Sequence, residues 1–213
     1  MTKLWGPLGW ATLHSIAALY PDSPSEYEKH MILRWMFAFR DTILCPSCQS
    51  HFSEMFDSYT RTRPHWCDSR KDLSEFIFRA HNTVNARTQK PVYSFKESVA
   101  ELERVFPAAR STEFRRSYLL YIRHDWMRNM TIDGIKSFSK IRELNLIESE
   151  YWEKRDAFAW TDLLQFEGVI NVSVLQEQPV KSVIGAPIIP KLTEPAKGFS
   201  LKVGKIGGLR SLR

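Results

Sequence analysis

Cysteine is scarce in this chain. Three residues in 213 cannot build a disulfide scaffold, so stability has to come from packing and from any bound ligand. Long apolar runs are missing as well: no stretch reaches the roughly eighteen residues that a membrane-spanning helix needs, which predicts a soluble protein. The N-terminal stretch, Lys3 followed by Leu4 to Tyr20, has the outline of a secretory signal. Trp5, Pro7, Trp10 and His14 fit the apolar centre of such a peptide poorly, and the segment is read as folded structure. What is present in quantity is apolar bulk. A 43% hydrophobic content with seven Trp and thirteen Phe furnishes a real core for one domain of ordinary size carrying an appendage.

Two of the three cysteines stand together in Cys45-Pro46-Ser47-Cys48. Thiols at this spacing either close a small disulfide or supply half of a metal site. A helix starting at the pair lowers the pKa of a cysteine at its N-terminus and favours the reactive thiolate. Thioredoxin-like proteins place the motif after a strand. Here the preceding stretch, Tyr27 to Leu44, reads as a helix with Met31, Leu33, Trp35, Met36 and Phe39 as its apolar residues. A zinc site would need four ligands, from Cys45, Cys48, Cys67 and either His51 or His65, and no second paired-ligand knuckle exists.

The rest of the N-terminal half is helical in pattern. A first helix spans about Gly6 to Leu19, with Pro7 in its first turn and Trp10, Leu13, His14, Ala17 and Ala18 on one face. A second begins near Ser23 and Pro24. A third follows the cysteine pair and carries Phe52, Met55, Phe56 and Tyr59, and a fourth runs from Asp68 or Ser69 to about Arg87. A fifth runs from Ser94, whose Glu97 completes a capping box, to Phe106. On the fourth helix, His81 and Asn85 lie four residues apart on an otherwise apolar stripe. A buried polar group without a partner costs about 1 to 3 kcal/mol, so this pair needs a bound cofactor, the backbone or one another.

Taken in order, Trp5-Gly6-x-x-x-Trp10-x-x-Leu13-His14, Tyr20-Pro21, Cys45-x-x-Cys48, His81-Asn82-x-Val84-Asn85 and Lys90-Pro91 resemble the Erv/ALR-type FAD-linked sulfhydryl oxidases over roughly Leu4 to Phe106. The joint occurrence of these motifs is far more specific than any one alone. The resemblance implies an all-α fold, a four-helix bundle plus one short helix, that cradles FAD with the disulfide set against its flavin ring. It implies Cys45 and Cys48 as catalytic residues. It implies Gly6, Trp10, His14, Tyr20, Cys48, His81, Asn82, Val84, Asn85 and Lys90 as cofactor-binding residues. Rings at Trp10, His14 and His81 suit a flat aromatic ligand, Asn82 and Asn85 its polar edge and ribose, and Lys90 its diphosphate. Substrate dithiols would attack Cys45, Cys48 would pass the electrons to the flavin, and O2 would leave as hydrogen peroxide. Homodimers are common in the family.

The chain departs from the family pattern in several places. The second Cys-x-x-Cys that many members carry on a flexible arm is absent, so a protein dithiol has to reach Cys45 directly or through a partner. Cys67 has no mate for the disulfide that relatives use to tie the third and fourth helices. Pro7 stands where a basic residue is frequent, and the Trp that often follows Lys-Pro is missing, with Tyr93 and Phe95 the nearest aromatics and Arg87 available for the phosphates. The Pro46-Ser47 dipeptide tunes the reduction potential in a direction that cannot be read here. The oxidases without shuttle cysteines resemble those of large DNA viruses, a source that would place the protein in the host cytoplasm or the virion.

Residues 1–108 form the expected oxidase domain, 109–167 a second helical unit and 168–213 an extended arm. In the second unit, helices are expected over Thr112 to Met130, Asp133 to Asn145 and Ser149 to Phe166. The aromatics of the first, Phe114, Tyr118, Tyr121 and Trp126, are expected to pack on the bundle rather than at a subunit interface. A strand is expected over Val169 to Leu175. From Pro179 onward, four Pro, five Gly and seven cations meet one acid, Glu194. That excess equals the whole chain's +6, so the residues before it are formally neutral. Such an arm is expected to be disordered, or to bind an acidic partner, nucleic acid, membrane lipid or a larger assembly. Two function classes stand: a thiol oxidase, and a structural or virion assembly protein that keeps the oxidase domain as a scaffold. Bound flavin with or without turnover separates them.

Overall fold

The computed structural model describes residues 2–128, 132–155 and 157–170, without the side chains of 2–4 and 132–134. Among the described residues every regular element is helical: α1 (Thr2–Leu19), α2 (Glu26–Asp41), α3 (Pro46–Thr62), α4 (Arg70–Arg87), α5 (Phe95–Val105), α6 (Ser111–Arg128) and α7 (Ile132–Glu150), with short 3-10 turns at Ala108–Arg110, Trp152–Lys154 and Trp160–Phe166. None is long and apolar enough to cross a membrane.

Local chemistry sets most helix starts. Ser25 and Ser94 each close a capping box, with Glu28 and Glu97, and Ser69 caps α4. Each such cap is worth about 1 kcal/mol, because it satisfies backbone N–H groups that the helix itself cannot. The α4 terminus follows a less obvious rule. Gln89 adopts φ 57, and the Lys90 N–H returns to the Asn85 carbonyl at 2.8 Å while the Gln89 N–H reaches Ala86. This is a Schellman closure built without the usual glycine.

α1 is the central element, and residues 11–20 are all buried, as expected of a helix that is apolar around most of its circumference. One core joins Leu13, Ile16 and Tyr20 of α1 to Trp35 and Phe39 of α2, Phe52 and Phe56 of α3, and Phe76 of α4. A second joins Ala11 and Ala18 to Phe78, to Val99 and Leu102 of α5, and to Trp160 and Leu163. Ring pairs such as Phe56–Trp66 at 5.4 Å and Tyr59–Phe76 at 4.8 Å each add about 0.5 to 1.5 kcal/mol beyond their buried area.

Burial runs across the boundary expected at residue 108. α6 packs on α1 and α7 on α2, so Tyr118, Leu119, Ile122, Ile141, Leu144 and Trp152 belong to the same core as α1 to α4. Gly9 permits the α6 approach: a Cβ there would meet the Tyr118 ring at 3.2 Å. Arg115 and Glu148 form an ion pair at 2.8 Å with both side chains nearly inaccessible. Burial, the largest cause, pushes the Glu148 carboxyl up, against the pull of Arg115. Trp126 donates its indole N–H to the Thr42 carbonyl, and Tyr151 and Arg155 both reach Glu28 at the start of α2. Phe114, Tyr118 and Trp126 of α6 thus pack within the chain, as expected.

Three expectations need correction. The helix expected over Ser149 to Phe166 is two short 3-10 turns joined by non-helical chain, because Trp152 is drawn into the first core and Trp160 into the second, where it donates to the Phe106 carbonyl at 2.7 Å. Burial of two tryptophans in separate cores outweighs helical propensity. Helix α2 ends at Asp41 rather than Leu44, since Thr42 turns its hydroxyl back onto the Ala38 and Phe39 carbonyls. Helix α1 starts upstream of Gly6, leaving Pro7 inside it at the cost of one backbone donor. Val169 and Ile170 are turn and bend; the rest of the expected strand and the basic arm lie outside the described residues.

Candidate functional site

Cys45 is the N-cap of α3, not a residue ahead of it: the helix begins at Pro46, inside the motif. Proline suits this first position because its fixed φ is helical and its missing N–H would have gone unpaired. The two sulfurs form a disulfide with Cα atoms 5.1 Å apart. Cys45 Sγ accepts the Cys48 backbone N–H at 3.3 Å, while Pro46 and Ser47 are exposed. Gln49 donates from its side chain to the Arg40 carbonyl, tying the first turn of α3 to the end of α2.

Cys48 faces the other way. It lines an open-sided cavity of about 480 Å³ walled by α1, α4, α5 and the ends of α2 and α3, and Cys45 does not. Of the residues expected to bind a cofactor, Gly6, Trp10, Cys48, His81, Val84, Asn85 and Lys90 line it together. Trp10 and His81 stack with centroids 4.3 Å apart and planes 7° apart, presenting a flat wall. A Cβ at Gly6 would meet nothing within 4 Å, so a residue of minimal size here leaves the space open. Asn85 is 6% exposed, and its side-chain amide has no hydrogen-bond partner among the described residues. Its own carbonyl, by accepting the Lys90 N–H, brings that cation to the rim beside Arg87.

Three expected residues stand behind the wall instead of in it. His14 is buried and shares a hydrogen bond with His81, Nε2 to Nδ1 at 3.1 Å, so that it orients the ring that does line the cavity. Burial holds both imidazoles neutral: His81 falls to about 4, aided by Lys90, and His14 falls well below its usual value, aided by His81. Asn82 donates to the Tyr93 carbonyl at 2.9 Å and accepts the Tyr93 N–H at 3.1 Å, clamping the link between α4 and α5 over the cavity. Tyr20 is fully buried and donates to the Cys67 carbonyl.

Sequence reasoning missed Trp5, Phe39 and Phe52, and the α5 face of Ser98, Glu101, Leu102 and Val105. The strong amphipathy of α5 was a signal that one face is buried, but not that a cavity lies against it. Arg40, at the end of α2, is paired with Asp41 at 2.9 Å and lies over the Phe37 ring. Cys67 is a buried free thiol, pushed up to about 12 chiefly by burial. The side chains of the zinc alternative are not brought together: His51 bonds the Ser47 carbonyl, His65 bonds Asp68, and no metal-sized group of His, Cys, Asp and Glu occurs among the described residues.

This arrangement has relatives. The model of the Erv1/Alr family matches residues 8–105. The FAD-linked sulfhydryl oxidase of African swine fever virus (isolate Tick/Malawi/Lil 20-1/1983) is 32% identical over 93 residues, 44% of this chain and 75% of its own length. The mitochondrial FAD-linked sulfhydryl oxidase ERV1 of Saccharomyces cerevisiae is 31% identical over 88 residues, 41% of this chain and 44% of its own. The ERV1 oxidase of Arabidopsis thaliana shows the same identity and coverage.

Proposed function

The chain belongs to the Erv1/Alr family of FAD-linked sulfhydryl oxidases, and we propose that this flavin-dependent thiol oxidase forms disulfides in protein substrates through Cys45 and Cys48. The observation that carries the reading is the division of the disulfide, with Cys48 lining the cavity and Cys45 outside it. The cavity's own residues fit FAD. The Trp10–His81 wall suits a flat ring, the open space at Gly6 gives room, and the unpartnered amide of Asn85 is a hydrogen-bond group left for a ligand. Val84 adds apolar contact, and Lys90 with Arg87 supplies positive charge for phosphates at the rim. His14, Asn82 and Tyr20 act from behind, through His81, Tyr93 and the chain around Cys67.

A substrate thiolate bonds to Cys45 Sγ, the sulfur away from the cavity, and the Cys45–Cys48 bond breaks with the electron pair leaving on Cys48. The substrate's second thiolate then displaces Cys45. Bound FAD supplies the two-electron link from the reduced pair to O2, which becomes hydrogen peroxide. In balance, two thiols and one O2 give one disulfide and one peroxide. Cys67 is buried with its thiol held protonated and does not relay electrons, so the dithiol meets Cys45 directly. The self-covered faces of α1 and α2 leave a homodimer to form on other surfaces, and the basic arm is the part suited to capturing an acidic partner. Oxygen consumption with a dithiol tests the reading. Purified protein should be yellow and release peroxide, and Cys48→Ala should reduce turnover to background while keeping its flavin. Flavin that stays oxidised under anaerobic dithiol would sink it.

A further inference from the structure

One of the two residues between the cysteines carries a group aimed at the reacting atoms. Ser47 Oγ lies 3.2 Å from Cys45 Sγ. A disulfide sulfur bears no hydrogen, so the hydroxyl is the donor, and it joins the Cys48 backbone N–H at 3.3 Å on the same atom. Ser47 is exposed, and its hydroxyl makes no other hydrogen bond among the described residues. Its backbone is held independently, since the carbonyl accepts His51 Nδ1–H one turn on, at 2.5 Å. The side chain therefore has no packing duty that would explain its direction. A hydroxyl aimed at a neutral disulfide sulfur gains little, whereas the same donor on a thiolate makes a charge-assisted bond about twice as strong. It thus favours the state that follows reduction over the state seen here.

We infer that Ser47 is a third catalytic residue, which together with the Cys48 N–H holds Cys45 as a thiolate when the substrate disulfide departs, an inference that rests on the oxidase reading above. The two exchanges use the cysteines differently. In the first, a substrate sulfur bonds to Cys45 and the pair leaves on Cys48. In the second, the substrate's other thiolate bonds to the substrate sulfur of the mixed disulfide, the bond to Cys45 breaks, and the pair leaves on Cys45. Two electrons have then passed from substrate to the cysteine pair, and the substrate's two thiol protons have gone to solvent. A leaving thiol that is stable as thiolate departs faster, so the hydroxyl acts on the second exchange. It also makes the pair more oxidising, a direction that the dipeptide's composition alone does not reveal.

The test reads the thiol chemistry without turnover. In Ser47→Ala the equilibrium of the Cys45–Cys48 pair with glutathione, read as alkylated thiol by mass, shifts threefold to tenfold toward the disulfide. That is a potential lower by about 15 to 30 mV for a two-electron couple. In a Cys48→Ala background the pH profile of Cys45 alkylation moves upward when Ser47 is also replaced by Ala. Ser47→Thr keeps the hydroxyl and restores both readouts. An unchanged potential and an unchanged alkylation profile in Ser47→Ala overturn the inference. A clear Ser47 effect in a protein that releases no peroxide would uphold this inference and remove the oxidase reading instead.

Discussion

The cavity side and the α6–α7 side of the bundle place their polar groups differently. On the α6–α7 side the charges are paired within the chain, Arg115 with Glu148 and Glu28 with Tyr151 and Arg155, although Arg115 Nη1, Arg155 Nε and the Trp152 indole N–H are buried without a hydrogen-bond partner. On the cavity side, the Asn85 amide and the Lys90 and Arg87 side chains gather on one space that Gly6 leaves open. A charge paired within the chain contributes to the scaffold, whereas polar groups gathered on a cavity are available to a ligand. The contrast separates the part of the molecule that holds shape from the part suited to a ligand.

The contrast breaks most visibly at the ion pair. Glu148→Ala leaves Arg115 charged and buried, and should cost about 3 to 5 kcal/mol of stability in urea denaturation, with turnover per folded molecule unchanged. The double replacement Arg115→Met with Glu148→Leu should recover most of that loss. If Glu148→Ala instead lowers turnover at constant stability, the α6–α7 layer is not a scaffold.

Acid should act on the cavity side. The folded-state values of His81 and His14 are depressed, so below the ordinary histidine range the unfolded chain binds more protons than the folded one. Their contribution to stability is complete above about pH 6.5 and is lost as pH falls toward the folded value of His81, about 4. Thermal melts across this window should show a loss of about 3 kcal/mol or more, and His81→Phe should reduce it. A flat profile in the unmodified protein would mean that the imidazoles are not held neutral.

The smallest effect sharpens the ligand side. Asn85→Ala removes an amide that faces the cavity, and should weaken flavin retention about tenfold, measured by release on dilution, while leaving the melting temperature of flavin-free protein unchanged. Equal flavin retention would reassign Asn85 to the scaffold.

How much of this was legible before folding differs from residue to residue. Ser69, Ser94 and Glu97 announced the starts of α4 and α5 because capping is a contact between near neighbours in sequence. The Schellman closure at Gln89 was not legible, since nothing in a Thr-Gln-Lys run asks for a left-handed residue. Asn82 and Asn85 are three residues apart on one helix and look alike in sequence. One clamps Tyr93, eleven residues away, and the other faces the cavity, a difference decided by what packs opposite each. Ser149 to Phe166 failed as a helix for the same reason: its two tryptophans answer to different cores.

The order of motifs by itself determined the family and the helical class, because these depend on residue types at fixed short spacing. Only the tertiary structure decided which sulfur faces the cavity, which polar groups stay unpaired, and that α6 and α7 close over α1 and α2. Those are contacts between residues far apart in the chain, and their free energies come from burial and hydrogen bonding that local sequence does not encode.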